Sequence, residues 1–407
     1  MFDWSAEQRA LRKGLECLGD ELSDGHLARE ADMRFPEGPW KVLRGSGLFG
    51  LPFGARWGGS GQDLLTTMYV LEGLGLVCRD PGLNFSAVTH MVSTGVPIQR
   101  FGSRRIKDVH LPGVVEGRTI GAHAISESEA GSDALAMTTR AVPDGDGYVL
   151  SGAKAFVTNG PVADQFVVYA RMGSGGGPLG LTAFLVGART PGLRVGPPME
   201  KMGLRTSPLS ELTLDRCWVS RENVIGRPGA GFLILDHVMR WEVLCSFVTT
   251  VGEMQHRLDR CVEYTRTRSQ FGAPIGSFQA VSHKIVDMRI GVDTARQWLY
   301  RTAERMIRGE DVTADVAMAK LVTSENNISS ALAAVQIFGG NGYLSESGLE
   351  KDVRAAVAGT IYSGTTEIQR CRVAAVLGLH GGMGGRGLRE SGRERREPGS
   401  GTGREPA

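Results

Sequence analysis

The sequence predicts an α+β fold with a small antiparallel β unit wedged between two helical units, the second of them a four-helix bundle. Three observations carry this prediction. Apolar residues before about 120 recur at helical spacing, short β-rich runs lie between Gly121 and Ala230, and four segments of helical length follow from Gly231. At 407 residues the chain also exceeds what one hydrophobic core ordinarily serves. The expected division is a helical unit over 1–120, a β unit over 121–230, a helical bundle over 231–380 and a structureless tail over 381–407.

In the first unit, Ser5 and Gln8 have capping-box spacing, and Leu11, Leu15, Leu18 and Leu22 then form one apolar helical stripe. Later helices are broken by glycine clusters such as Trp57-Gly58-Gly59-Ser60-Gly61, and a further apolar run leads to Arg100-Phe101-Gly102-Ser103. In the second unit the β-rich runs are Tyr148 to Ser151, Gln165 to Ala170, Leu181 to Val186 and Glu211 to Val219. Turn chemistry separates them, including Asp144-Gly145-Asp146-Gly147 and the loop from Gly173 to Pro178. The third unit holds helical segments over Gly231 to Thr267, Val281 to Arg308, Val312 to Phe338 and Thr366 to Leu379. From Gly381 the chain is rich in Gly, Arg and Glu and lacks the apolar residues that packing needs.

Composition excludes several functions. Hydrophobic residues at 41% and charged residues at 22% are ordinary for a globular chain. The 46 basic residues nearly cancel the 44 acidic ones, so no broad positive field exists to attract nucleic acid or an anionic membrane. Six scattered cysteines form no CxxC pair and have no nearby His at zinc-ligand spacing, so neither a disulfide framework nor a metal site is expected. No run of about 18 apolar residues occurs and the first ten residues lack an apolar leader, which fits a soluble, cytoplasmic protein. The unusual count is 57 glycines, which asks for tight turns or for backbone approaching a ligand closely.

Four glycine-marked segments bear on chemistry. Ser126-Glu127-Ser128-Glu129-Ala130-Gly131-Ser132-Asp133 offers hydroxyls and flexible backbone to a polar ring edge or a phosphate, although an ordinary acidic turn explains it as well. Lys154 to Gly160 reads as a strand with Phe156 and Thr158 on one side, or as a hairpin with one core aromatic. Tyr264 to Ile275 runs a cationic helix end into a Gly-Pro break, placing Arg268 and Gln279 to meet a pyrophosphate or simply capping a helix. The fourth pairs Gln336 to Tyr343 with Ile361 to Arg370. There Gly339 fits a helix stop, and Thr366 with Gln369 again has capping-box spacing, which would leave free N–H groups for a ligand.

Taken together, in this order and at these separations, the four segments resemble the acyl-CoA dehydrogenase family of flavoproteins over essentially residues 1–380. The resemblance implies an N-terminal helical domain, a middle β domain and a C-terminal four-helix domain, with FAD in the cleft between the last two. It also implies a homotetramer, a dimer of dimers, in which a neighbouring subunit completes each FAD site. Ile125, Ser126 and Ser132 would line the flavin, Ser132 also reaching toward substrate. Phe156, where the family often has Trp, and Thr158 would meet the isoalloxazine ring. Arg268, Phe271, Gln279, Gln336 and Gly340 would hold the adenine and pyrophosphate portion, partly across the subunit boundary. Thr365 and Glu367 would contact FAD at the start of the last helix. The first motif departs from the usual Thr-Glu-Pro, reading Ser126-Glu127-Ser128.

The family reaction removes a proton α to a thioester carbonyl while a hydride leaves the β carbon for flavin N5, which requires a carboxylate base in a desolvated position. Most relatives place that Glu directly before the Gly-Thr of the last motif. Here the position is Ser363, which is assigned to the substrate but cannot act as the base. Isovaleryl and long-chain dehydrogenases supply the base from an earlier helix, and the matching residue is Glu242, in an apolar run from Leu235 to Val251. Val243 stands where those relatives carry Arg. The competing account pairs Glu242 with Arg240 or His237, or exposes it. Glu129, Asp133 and Glu367 are better explained as loop or cap residues, and His90, His123, His237 and His283 as structural or surface residues.

The strings Arg79 to Ser86, Trp241-Glu242 and Ile361 to Thr365 look most like dehydrogenases that oxidise a prolyl group on a carrier protein to a pyrrole. The expected activity is therefore FAD-dependent dehydrogenation of an acyl or aminoacyl thioester on a carrier protein, in a biosynthetic pathway of secondary metabolism. The alternatives are a free short or branched acyl-CoA as substrate, or a flavin-dependent monooxygenase of the same fold. The electron acceptor would be an electron-transfer flavoprotein or oxygen.

Overall fold

The computed structural model describes residues 3–173 and 177–379, so the predicted tail 381–407 lies outside the described residues. The chain begins with α1 (Ala6–Glu16), whose capping box is complete: the Ser5 hydroxyl accepts from the Gln8 N–H at 3.1 Å and Gln8 Oε1 accepts from the Ser5 N–H at 2.8 Å. The single stripe expected through Leu22 is instead split. α1 stops at Glu16, and a short α2 (Gly19–Ser23) follows as a separate helix that buries Leu22 as α1 buries Leu15. Next come α3 (His26–Ala31), α4 (Glu37–Gly45), the long apolar α5 (Leu64–Val77), α6 (Pro81–Val88), α7 (Val96–Phe101) and α8 (Arg104–Val115).

Between α6 and α7 the helix does not end but widens into a fully buried π-helical segment, Thr89–Gly95. Pro97 accounts for the widening. It has no N–H to offer the Ser93 carbonyl four residues back, and its ring crowds that carbonyl. A π segment of this kind is often retained at a functional site because it re-aims side chains.

The β unit is a twisted sheet in the order β6-β7-β3-β2-β4-β5-β8, with β1 also pairing with β4. Its strands are β1 (Gly121–Ala124), β2 (Arg140–Asp144), β3 (Gly147–Thr158), β4 (Gln165–Met172), β5 (Leu181–Gly187), β6 (Leu193–Val195), β7 (Leu209–Ser220) and β8 (Val224–Ile225). Most pairings are antiparallel, as expected, but β1 and β2 each run parallel to β4. Alternation along β4 separates the two faces. Phe166, Val168 and Ala170 join a small core within the β unit, whereas Val167 and Tyr169 join the main helical core. The second face is what holds the sheet against the helices.

The C-terminal unit contains α9 (Gly231–Thr267), α10 (Gln279–Ile307), α11 (Thr313–Phe338), the one-turn α12 (Gly340–Tyr343), α13 (Leu349–Ala358) and α14 (Thr366–Val376). The four predicted helices are present, and α13 is an element the periodicity did not reveal. α9 crosses α5 at backbone contact. A Cβ on Gly75 would lie 1.9 Å from the Thr249 carbonyl oxygen, and one on Gly252 would lie 2.1 Å from that of Glu72. Only glycine at both positions permits this approach, which fixes where α9 presents its polar residues.

Buried polar contacts weld the units together. Asp80 accepts from the Leu83 N–H at 3.0 Å and from the Thr206 hydroxyl, so the start of α6 is tied to the loop before β7. Asn159 donates to the Ser86 and Gly121 carbonyls at 3.0 and 3.2 Å, and Ser86 donates to Ser207 at 2.8 Å. Glu30 accepts from the Arg205 N–H at 3.1 Å and from Arg354 at 3.0 Å, reaching all three units from one side chain. His90 is structural: the Gly121 N–H donates to its Nδ1 at 3.1 Å, which leaves Nε2–H to donate to the Val114 carbonyl at 2.9 Å.

Further along α9, burial pushes the Glu253 carboxyl up to about 7, although Asn84 donates to it at 2.9 Å. Because the folded state holds Glu253 above its usual range, the native protein favours the protonated form. The carboxylate therefore costs stability progressively as pH rises from about 4.5 to 7, and the full cost remains above that window. Glu253→Gln keeps an acceptor for Asn84 and removes the charge. Thermal melts should show a gain of roughly 2–4 °C at pH 8 that shrinks toward pH 5. An equal change at both pH values would contradict the assignment.

Candidate active site

Glu242 lies about three turns into α9, and two hydroxyls from distant parts of the chain grip its carboxylate. Ser93 of the π segment donates to Oε2 at 2.6 Å, and Ser363, in the turn before α14, donates to Oε1 at 2.5 Å. The ion pairs weighed from the sequence do not form. Arg240 bonds Asp236 at 2.8 Å, and His237 packs edge-on against Phe101. The Glu242 side chain is 13% exposed, so it is largely but not fully withdrawn from solvent. Burial raises its pKa, and the hydrogen bonds from Ser363 and Ser93 oppose that rise. A desolvated carboxylate without a cationic partner is suited to taking a proton.

Two more polar side chains border it. His123 Nδ1 is 4.0 Å from Glu242 Oε2, and burial drives the imidazole down to about 3, so it is neutral and lends no positive charge. Tyr169 meets His123 edge-on, with ring centroids 5.2 Å apart. Among the described residues neither His123 Nε2 nor the Tyr169 hydroxyl has a hydrogen-bond partner.

The first and second glycine-marked segments come together beside β3. Ala155 N–H donates to the Ser126 carbonyl at 2.9 Å, and Lys154 Nζ donates to the Ile125 carbonyl at 2.9 Å. Glu127 anchors this loop. It accepts from the N–H and hydroxyl of Thr138 at 2.6 and 2.8 Å, from the N–H and hydroxyl of Thr139 at 2.9 and 2.5 Å, and from buried Lys154 at 3.0 Å. Burial alone would raise the Glu127 pKa, but the Thr139 and Thr138 hydrogen bonds and the Lys154 charge outweigh it and bring the carboxyl down to about 2. The loop can therefore depart from the usual proline and still be held at both ends. Ser132 is exposed at its tip, and Gly131 has open space around it.

Phe156 is not a core aromatic. A β-bulge between Lys154 and Val157 places it at φ 57°, with the ring 59% exposed, and Thr158 stands half-buried on the same side. The helix start in the fourth segment is shifted by one residue from the expected cap. Thr365, not Thr366, caps α14 by accepting from the Ile368 N–H at 3.4 Å, while Gln369 donates to the Ser363 and Gly364 carbonyls at 2.7 and 3.3 Å. Glu367 is in the first turn, where its own N–H and the Thr365 hydroxyl hold it below the usual carboxylate range.

Arg268, Phe271, Gln279, Gln336 and Gly340 form a second, outward-facing group. Tyr264 joins its two halves by stacking on Phe338 at 3.9 Å and accepting from Asn341 at 3.1 Å. Arg268 ends α9, Gln279 opens α10, and both are exposed. Phe271 takes φ 51° and is 97% exposed. Gly339 ends α11 at φ 59°, ψ −135°, a conformation natural only to glycine, and a Cβ on Gly340 would meet nothing within 4 Å.

Family models match almost the whole chain: the acyl-CoA dehydrogenase N-terminal domain over 5–118, the middle domain over 122–217 and the C-terminal domain over 229–378. The chain belongs to the acyl-CoA dehydrogenase family. Among curated relatives of this acyl-CoA dehydrogenase family member is the L-prolyl-[peptidyl-carrier protein] dehydrogenase of Pseudomonas fluorescens. It is 39% identical over 366 residues, covering 90% of this chain and 94% of the relative. The solved structure of the prolyl acyl carrier protein oxidase AnaB superposes with a TM-score of 0.90 at 38% identity, covering 93% of this chain and all of that one. A structure of PigA with FAD and proline gives a TM-score of 0.91 at 36% identity, covering 94% of this chain and all of PigA.

The residues present fit a flavin. An open glycine loop, an outward aromatic on a bulge and a capped helix start accompany a largely desolvated carboxylate, and a second set of exposed aromatic and glycine positions lies on the outer face. Ser93, His123 and Tyr169 lie outside the motifs, and Glu127 lies inside the first of them with no role that the pattern reveals. The only sequence signal for Ser93 is a serine four residues before a proline in an apolar helix. Glu127→Ala would leave buried Lys154 and the Thr138 and Thr139 donors without their acceptor. The expected result is a loss of about 3–5 kcal/mol in stability and at least tenfold weaker FAD binding, read by denaturant unfolding and by flavin fluorescence titration of the apoprotein.

Proposed function

We propose that this chain is an FAD-dependent dehydrogenase of a prolyl thioester carried on a carrier protein, with Glu242 as the base. The observation that carries this reading is the Glu242 carboxylate, only 13% exposed, without a cationic partner among the described residues and held by Ser93 and Ser363. The likeness to carrier-protein prolyl dehydrogenases over nine-tenths of the chain supports the substrate class.

FAD, when bound, supplies the acceptor for the β-hydride. Glu242 takes the α-proton: the substrate C–H bond breaks, its electron pair moves into the new α,β double bond, and a carboxyl O–H forms. Desolvation makes the carboxylate a stronger base than it would be in water, which is the direction this step needs. Ile125, Ser126, Ser132, Phe156, Thr158, Thr365 and Glu367 would bind and orient the flavin ring side, with Ser132 and Ser363 also bordering substrate. Arg268, Phe271, Gln279, Gln336 and Gly340 would hold the adenine and pyrophosphate portion, partly across the subunit boundary within a homotetramer. The nearly complete exposure of the Phe271 ring, edge-on to Phe278 at 6.1 Å, supports that role. Among the described residues no helix is long and apolar enough to cross a membrane. The enzyme would act in the cytoplasm, in secondary-metabolite biosynthesis, passing electrons to an electron-transfer flavoprotein or to oxygen.

Anaerobic mixing of the FAD-loaded protein with a panel of thioesters tests this reading. The prolyl thioester of a peptidyl carrier protein should bleach the flavin, and fatty or branched acyl-CoA should not. Glu242→Gln should slow bleaching by about 10²- to 10⁴-fold while retaining FAD. Bleaching by acyl-CoA alone would overturn the substrate, and an unchanged rate in Glu242→Gln would overturn the base.

A further inference from the structure

Ser93 and Ser363 are unlike ordinary surface serines, because each owes its position to irregular backbone. Ser93 lies in the middle of the π segment that Pro97 opens, is fully buried and points at Glu242 Oε2. Ser363 is held at φ 55°, a left-handed conformation that strains a non-glycine residue. Its backbone is pinned there by buried Gln369, which donates to its carbonyl at 2.7 Å. Two separate departures from regular backbone thus deliver one hydroxyl to each oxygen of the same carboxylate.

We propose that Ser93 and Ser363 form a two-hydroxyl clamp that fixes the plane of the Glu242 carboxylate and stabilises it both before and after it takes a proton. This rests on Glu242 being the base. A hydroxyl is a partner that suits both states. It donates to the carboxylate and, by rotating about its C–O bond, can accept from the carboxylic acid once the proton has arrived. An Arg or Lys in the same place would hold Glu242 ionised and weaken it as a base, and a backbone N–H could not reverse its role. Among the described residues the groups facing Glu242 from the adjoining elements are Ser93, Ser363 and His123, and His123 is neutral, so none of them brings a charge to compete with the clamp. Tyr169 on β4 and Tyr362 beside Ser363 are also uncharged, with burial pushing both phenols upward.

Removing either hydroxyl takes a donor from the charged form, so the Glu242 pKa should rise and the acid limb of the activity profile should move to higher pH. The experiment compares Ser93→Ala, Ser93→Thr, Ser363→Ala and Ser363→Gly in the FAD-loaded protein. The probe is the prolyl carrier-protein thioester in anaerobic stopped flow across pH 5–9. Ser93→Ala and Ser363→Ala should each lower the limiting rate of flavin reduction about tenfold, and Ser93→Ala, which lies away from the substrate, should keep an apparent substrate dissociation constant within about twofold of the parent. Both should move the acid limb upward, and Ser93→Thr should restore it. Ser363→Gly should relieve the backbone strain, and so melt no lower than the parent, yet show the same shifted limb as Ser363→Ala.

A second readout needs no substrate. The carboxyl C=O stretch of Glu242 in apoprotein, followed by infrared difference titration with Glu242→Gln as the blank, should titrate at higher pH in both alanine variants. Acid limbs and carboxyl titrations that coincide with the parent's would overturn the clamp. If Ser363→Ala does not fold, the Ser93→Ala and Ser93→Thr pair decides the question alone. A Glu242→Gln protein that still reduces flavin at the parent rate defeats the base assignment instead, and the infrared titration tells that outcome apart from failure of the clamp.

Discussion

The structure is organised around one carboxylate without a cationic partner in a desolvated place. Glu242 sits on a helix stretch that is otherwise largely apolar, and a lone carboxylate there is costly unless hydrogen bonds are brought to it. Three elements far apart in sequence converge to do so: α9 carries the acid, the π segment carries Ser93 and the turn before α14 carries Ser363. The rest of the fold can be understood as what holds these three in register. The glycine-on-backbone crossing of α5 and α9 fixes the height of α9, Pro97 opens the π segment, and Gln369 pins the turn.

The β unit contributes a wall and a loop. Its helix-facing side packs Val167, Tyr169 and Leu185 into the shared core, and His123 from β1 borders the carboxylate. The loop that starts at Ser126 would be free to wander, given its glycine and small polar residues. Glu127 prevents that by gathering the donors of Thr138 and Thr139 and the buried Lys154 ammonium. The contacts of Asp80, Asn159 and Glu30 tie the same unit to both helical units, so the wall cannot shift relative to α9 without breaking buried hydrogen bonds.

Backbone irregularity and chemistry coincide repeatedly here. Phe156, Phe271 and Ser363 all take positive φ without being glycine, and each belongs to a segment that the flavin or the base would use. Such conformations persist only where the surrounding contacts over-determine them. The long helices α5, α10 and α11 carry much of the buried apolar surface that these positions draw on.

The linear order of motifs was enough to indicate the family and the three-part architecture, because those depend on residue types at fixed spacings, and the resemblance they carry pointed to Glu242 as the candidate base. Helix periodicity located the long helices of the C-terminal unit to within a residue or two, since each has a sustained apolar face. Local pattern could not supply what depends on contacts between distant segments. It could not show that α1 stops short of Leu22, that Thr365 and not Thr366 is the cap, or that Gln369 bonds a turn instead of closing a capping box. Ser93 was invisible for the same reason: a serine in an apolar helix has no meaning until a π segment turns it toward an acid 149 residues away. Sequence determined which groups were available; tertiary structure decided which of them meet, because burial and hydrogen-bond geometry exist only once the chain has closed on itself.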